Sequence, residues 1–241
     1  MRIGIVSDIH SNLPALETVL ADMGTVDALW CLGDFVGYGP WPNECVALLR
    51  EHDALSIAGN HDLAALGAIS TESFNPSAAI ATAWTTAQLK GDTSDYLRSL
   101  SCVHLAEEAT LAHGSPREPV WEYLMDDIGA RASFELFSTQ LCLVGHTHIP
   151  SLFAKEIDGA IRVAYMPQGS AYELGTAQVI ANPGSVGQPR DRDCRAAYLI
   201  FDTDQSRLEW RRVEYDIESV QERMRQEGLP QHLIDRLSIG K

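Results

Sequence analysis

Five short stretches concentrate the metal-capable side chains of this chain. They are "SDIHSN" with Asp8 and His10, "LGDFVG" with Asp34, "GNHD" with Asn60, His61 and Asp62, "LAHGSP" with His113, and "VGHTHIP" with His146 and His148. Two aspartates, four histidines and one asparagine carbonyl make a set of seven ligands. That is too many for a single tetrahedral ion, and no cysteine cage accompanies them. A carboxylate can bridge, so the set suits two five- or six-coordinate ions a few Å apart. Mixed oxygen and nitrogen donors favour Mn, Fe, Co, Ni or Zn over Ca or Mg. Two such cations lower the pKa of a shared water, so the chemistry is metal-assisted hydrolysis.

Each stretch alone says little. Asp8 also suits a turn, a Gly-Asp pair is a common turn, His113 also suits a hydrogen-bonded core position, and Asn60 or Asp62 can cap a helix. Their order and placement carry the signal, because each follows an apolar, strand-like run. Spacing of two in Asp8-x-His10 and His146-x-His148 places each pair on one side of a strand end. Gly33 and Gly59 let the chain turn sharply before Asp34 and Asn60.

The elements that must position these residues follow from periodicity. Arg2–Ser7, Ala28–Leu32 and Ala54–Ala58 read as buried strands, separated by helices over Asn12–Met23 and Asn43–His52. This alternation predicts parallel pairing with right-handed crossovers. Loops beyond the carboxyl ends of such strands share one rim, where ligands bind. Residues 63–100 read as a helical insertion over one end of the sheet, with an Ala-rich helix in "NPSAAIATAWTTAQL" and a shorter one in "TSDYLRSL". The second half is strand-rich. Hairpins are predicted for "CVHLA" with "ATLAHG", "SLFAKEI" with "IRVAYM" across a DG turn, and "RAAYLIFD" with "RLEWRRVEY". A helix over Asp126–Phe137, strands in "TQLCLVG" and "AQVIANPGSVG", and a polar helix in "IESVQERMRQEG" complete the pattern. With no linker or internal repeat, residues 1–241 read as one domain.

The chain has 241 residues, 45% of them hydrophobic, and a net charge of −15. It can bury a large core, and its acidity argues against a nucleic-acid partner, which needs a basic face. A small phosphate ester is still admissible, because metal ions reverse the local field. The five cysteines, at 31, 45, 102, 142 and 194, form no CxxC pair and suit a reducing compartment. No run approaches the roughly 18 apolar residues of a membrane span. The opening residues do not read as a signal-peptide core, so the expected location is the cytoplasm.

The ordered set DxH, GDxxG, GNHD, His and GHxH resembles the calcineurin-like metallophosphoesterase superfamily. The wording "SDIHSNLPALE", "GDFVGYGPWPNE", "HGSPREPVWEYL" and "NPGSVGQPRD" is similar to its small bacterial phosphodiesterase and phosphatase branch. The resemblance implies an α/β fold, a four-layer αββα sandwich of two mixed β-sheets with a dinuclear site between them. It implies Asp8, His10, Asp34 and His148 on one ion and Asp34, Asn60, His113 and His146 on the other, with Asp34 as the bridge. His61 matches the general acid, and Asp62 would orient it or start a helix. The expected activity is hydrolysis of small phosphate esters or nucleotides with two divalent transition-metal ions, Mn first among them. Arg190 and Arg117 are the expected phosphate grips. Tyr38, Trp41, Trp84, Trp121 and Tyr123 are available to line an aromatic wall, and Asn182–Gly187 to offer backbone N–H groups. A protein phosphatase or a dinucleoside polyphosphate hydrolase is the alternative, but the text "GDFVGYGP" lacks the arginine of those branches. A non-catalytic metal-binding scaffold is the alternative of another class, and the presence of His61 weighs against it.

Overall fold

The chain order of elements is β1 (Arg2–Val6), α1 (Leu13–Met23), β2 (Ala28–Cys31), α2 (Pro42–Glu51), β3 (Leu55–Ser56), α3 (Asn60–Ala65), α4 (Pro76–Gln88) and α5 (Gly91–Ser99). The second half runs β4 (Val103–Leu105), β5 (Ala109–Ala112), α6 (Asp127–Phe134), β6 (Leu141–Leu143), β7 (Ser151–Lys155), β8 (Ile161–Tyr165), β9 (Ala171–Glu173) and β10 (Gln178–Asn182). It ends with β11 (Ala196–Asp202), β12 (Arg207–Val213), α7 (Ile217–Gln226) and α8 (Gln231–Arg236). The computed structural model describes residues 1–241. No helix in it is long and apolar enough to cross a membrane.

Two mixed six-stranded sheets form, in the orders β3-β2-β1-β11-β12-β9 and β4-β5-β6-β10-β7-β8. β1, β2 and β3 run parallel in the first, as their strand–helix alternation predicts, and β5, β6 and β10 run parallel in the second. Alternating side chains send Ile3, Ile5, Leu199 and Trp210 of the first sheet against Leu111, Leu141, Leu143 and Val179 of the second. The opposite face of the first sheet carries Val6, Cys31 and Tyr198, covered by Leu16 and Val19 of α1, Val46 and Leu49 of α2, and Leu97 of α5. The outer face of the second packs Cys142, Phe153 and Ile180 under Ala130 and Phe134 of α6. This is the αββα sandwich. A further cluster joins α4, α7 and α8 around Tyr38.

Two elements lack a sequence signal. β9 is three residues long with no apolar run, yet it pairs with β12 at the edge of the first sheet. α8 has six residues, too few to show a period, and is fixed by burying Leu233 and Ile234. The helical stretch after β3 also differs from expectation. Its last helix, α5, buries Leu97 in the outer core beside Leu49, so it belongs to the helical layer. Of residues 63–100, only those near Ser73–Ala78 reach the cleft described below.

One polar contact links the sheets beside the rim: Trp210 Nε1 of β12 donates to the Asn182 carbonyl of β10 at 2.8 Å. Trp210 is 1% exposed, so water has no ready access to that carbonyl. Trp210→Phe keeps most of the volume but removes this donor, and should cost about 0.5–1.5 kcal/mol in urea unfolding. Trp210→Ala should cost about 3–5 kcal/mol. No loss in Trp210→Phe would show that the hydrogen bond contributes nothing.

Candidate metal centre

The carboxyl ends of the two parallel triplets meet at one rim. β1 leads to Asp8 and His10, β2 to Asp34, β3 to Asn60, β5 to His113, and β6 to His146 and His148. Spacing along a strand does not orient these side chains. Asp8, His10, Asp34, His146 and His148 all lie beyond the strand ends with φ between 48° and 64°, in the left-handed region that non-glycine residues seldom occupy. Tertiary hydrogen bonds hold them there. Asp8 N–H donates to Gly33 O (3.1 Å), His10 N–H to Asp34 O (2.9 Å) and Ser11 N–H to Phe35 O (2.8 Å), a ladder that continues past the sheet. Gly33 turns with φ 92°, as expected. Gly59 does not, having φ −100°. It is glycine because a Cβ there would strike the carboxylate and backbone N of Asp34.

The ligand atoms fall into two groups that share one residue. Asp8, His10, Asp34 and His148 offer one set, and Asp34, His113 and His146 the other, with the atoms of each set within 4.8 Å of one another. Asn60 Oδ1 lies 3.2 Å from His113 Nε2, which adds it to the second set. Three histidines are locked in one tautomer. Nδ1–H donates to Val36 O in His10 (3.1 Å), to Leu32 O in His113 (2.7 Å) and to Gln188 O in His148 (2.5 Å). A carbonyl only accepts, so each ring, once neutral, keeps a lone pair on Nε2 facing inward. Those of His10 and His148 oppose each other at 3.1 Å. Asp34 Oδ2 and His146 Nε2 are buried without any partner. Such a set of lone pairs repels itself and is offset by cations. The residues therefore fit two divalent ions.

Charges respond to this burial. His10 and His148 are pushed well below the ordinary histidine range, chiefly by desolvation. Burial also opposes charge on His113, but Asp34 at 3.3 Å outweighs it and raises the pKa to about 9. Burial raises Asp8 to about 7, with His113 pulling the other way. For Asp34 burial is overcome by His113, His61 and His10, which hold it well below the usual carboxylate range.

His61 stands beside the ligands without joining either set. Its ring packs against Tyr38 (4.4 Å), Phe74 (4.8 Å) and, edge on, His10 (4.9 Å). Its Nδ1 has no partner, and burial lowers its pKa to about 4. Asp62 does not orient this ring. Its carboxylate accepts from the backbone N–H groups of Asp34 (2.9 Å), Val36 (3.1 Å) and Gly59 (2.9 Å). It is the helix-starting acid of α3 and also ties the Asp34 loop to the Asn60 loop. Burial and the Asp34 charge raise it to about 7, against the Gly59 and Val36 donors.

Of the two expected arginines, only Arg190 reaches the site. It hydrogen-bonds Gln188 Oε1 (3.0 Å) and Tyr38 Oη (3.3 Å) and lies over the Tyr38 ring. Arg117 is turned away in a half-exposed ion pair with Glu122. The Asn182–Gly187 loop has no N–H to spare for an ester at Gly184, Val186 or Gly187. They donate to Asn182 Oδ1, Ser7 O and Asp8 O, while Ser185 Oγ also donates to Asp8 O. This loop braces Asp8 instead. A cleft of about 400 Å³ opens over Asn60, His61 and His146, walled by Tyr38, Phe74, Trp121 and Tyr123. Trp41 and Trp84 pack in the helical cluster away from it. Phe74 carries no motif, and Gln188, though inside the stretch "NPGSVGQPRD", gave no sign that its side chain would accept from Arg190 and its carbonyl from His148. Phe74 precedes the Asn75 cap of α4, which is the one local hint of its position.

Residues 1–206 match the model of the calcineurin-like phosphoesterase superfamily domain. The chain is 39% identical to an uncharacterised protein of Methanocaldococcus jannaschii, over 99% of this chain and 98% of that one. The crystal structure of a metallophosphoesterase from Sphaerobacter thermophilus superposes with a TM-score of 0.92 at 45% identity, covering 100% of both chains. A hypothetical protein of Pyrococcus horikoshii shares the fold at 20% identity, with a TM-score of 0.82, over 100% of this chain and 98% of that one. Motif order, two-sheet architecture and full-length similarity agree, and the chain belongs to the calcineurin-like phosphoesterase superfamily.

Proposed function

We propose that this protein hydrolyses phosphate esters of small alcohols or nucleotides with two divalent transition-metal ions, Mn first and Fe, Zn, Ni or Co as alternatives. The observation that carries the reading is the unpartnered Asp34 Oδ2, buried between His10 Nε2 at 3.6 Å and His113 Nε2 at 3.3 Å. It suits one carboxylate shared by both ligand sets. The ions, when bound, lower the pKa of water and offset the charge of the phosphoryl group.

The protein's own groups do the rest. Arg190 is aimed from the rim to bind a phosphoryl oxygen. His61 is free of the ligand sets and is the proton donor to the departing alkoxide. Burial keeps its free ring neutral above about pH 4, so an anionic phosphate beside it must raise its affinity for the proton. Asp62 acts as a positioning residue through the backbone. Phe74, Trp121 and Tyr123 offer faces on which a planar leaving group stacks. Residues 63–100 serve as the specificity cap through the Ser73–Ala78 segment.

The roles of the two neighbours after Gly59 separate on mutation. Asn60→Ala should lower the bound metal per chain toward one, by elemental analysis. His61→Ala should keep two ions, slowing alkyl phosphates about 10²–10⁴-fold and p-nitrophenyl esters much less. Loss of an ion from His61→Ala would reverse the assignment. Wild-type protein loaded with Mn²⁺ should turn over p-nitrophenyl phosphate or its bis ester. Bound metal with turnover of neither would favour the scaffold reading.

Metal uptake should also release protons. His113 titrates near 9 and must be neutral to ligate, so affinity should rise about tenfold per pH unit between pH 7 and 9. Protons compete below that pKa and cease to above it. Calorimetry in two buffers of different ionisation enthalpy should count about one proton at pH 8. A count of zero would contradict the proton on His113.

A further inference from the structure

A second pocket, of about 690 Å³, lies beside the metal centre and has no part in the reaction above. Part of its wall is Ile149 and Pro150, the residues directly after His148. Part is Tyr165, Met166 and Pro167, at and beyond the end of β8. The rest is the Arg190–Arg192 segment. These segments are fastened to one another. Met166 N–H donates to Pro150 O (2.9 Å), and Arg190 N–H donates to His148 O (3.3 Å). The pocket is therefore formed in advance, and its volume is that of a small-molecule site.

Its lining suits a planar, largely apolar group. Tyr165 is 65% exposed, so its ring is open to a stacking partner. Asp191 is the one acid in the wall, and it is paired with Arg212. No free carboxylate is left there to repel a phosphate ester.

Arg190 joins this pocket to the reaction. It lines the second pocket, and its guanidinium reaches Tyr38 Oη (3.3 Å), whose residue walls the cleft that contains His61. A phosphoryl group held by Arg190 thus borders two cavities, and only the cleft contains the proton donor. The departing alcohol belongs in the cleft, within reach of His61. A group in the second pocket lies away from that donor and keeps its ester bond.

We propose that the second pocket binds the retained group of a phosphodiester, a planar group of nucleobase size stacked on Tyr165. Water adds to phosphorus, the P–O bond to the alcohol in the cleft breaks, and His61 supplies the proton of that alcohol. The monoester product keeps its own group in the second pocket. This rests on the phosphoesterase reading of the metal centre.

The test uses two diesters with one leaving group, thymidine 5′-(p-nitrophenyl phosphate) and methyl p-nitrophenyl phosphate, on the Mn²⁺-loaded full chain. They differ only in the retained group. The thymidine ester should have the higher kcat/KM in the wild type, and the ratio should fall about tenfold in Tyr165→Ala, the usual worth of a base on one aromatic ring. Tyr165→Phe keeps the ring and should keep the ratio. Equal values in the wild type, or a ratio untouched by Tyr165→Ala, would overturn the assignment. So would a ratio lost in Phe74→Ala but kept in Tyr165→Ala, which would put the nucleoside in the cleft. A second readout needs no turnover. A thymidine phosphonate with CH₂ in place of the bridging oxygen cannot be hydrolysed, and by calorimetry it should bind Tyr165→Ala about tenfold more weakly than the wild type. If no ester is hydrolysed but this affinity depends on Tyr165, the pocket stands and the enzyme reading fails. If esters are hydrolysed while the ratio and the affinity are both indifferent to Tyr165, the pocket assignment fails and the enzyme reading stands.

Discussion

The structure turns on the division of one carboxylate. Asp34 Oδ1 accepts the His61 N–H at 2.9 Å, while Oδ2 is left bare between His10 and His113. Its own N–H is held by Asp62. The carboxylate therefore cannot rotate to satisfy itself with protein donors. A buried oxygen without a partner costs about 1–3 kcal/mol, more when it is charged. That cost persists because the same arrangement gives two sets of nitrogen and oxygen donors a shared member.

The loops around Asp34 show how such a cost is tolerated. Left-handed backbone at Asp8, His10, Asp34, His146 and His148 is unfavourable by roughly 1–2 kcal/mol per residue. Each loop is over-determined in compensation. His146 N–H donates to both Asp8 carboxylate oxygens (3.2 and 3.1 Å), Arg190 N–H to His148 O (3.3 Å), and Gly145 N–H to His113 O (2.7 Å). Asn182 Nδ2 donates to Gly145 O (2.6 Å) and Thr147 Oγ1 (3.0 Å). Every bond joins loops from different strands, so the rim is set by the packing of two sheets and moves only if they do.

This explains what could be read in advance. Strand ends and ligand types were legible because apolar runs and the residues after them are local in sequence. The αββα sandwich and the grouping of the seven ligands came from the motif order. The reason given for their orientation was wrong: the strand period does not extend to Asp8 or His10, and tertiary hydrogen bonds decide. Of the two roles open to Asp62 its contacts match the helix-starting one, and its further tie to Asp34 and Val36 was not legible because they lie in another loop. Arg117 found an acid five residues away, which sequence permits but does not select. Phe74 belongs to a segment whose position depends on what it packs against.

The acidic composition and an anionic substrate are reconciled locally. Two divalent ions would bring four positive charges to a pocket whose carboxylates are Asp8 and Asp34, with Asp62 behind them. Arg190 adds a fifth at the rim. Elsewhere the surface is negative, so the potential changes sign only near the opening, within about a Debye length of 8–10 Å. On the proposed activity, an ester would be repelled by most of the surface and attracted at one place, whose walls are four aromatic rings. Charge would then select for phosphate, and the helical segment carrying Phe74 would be left to choose among phosphates. That segment holds none of the seven ligands, so its sequence can change without disturbing the donor sets.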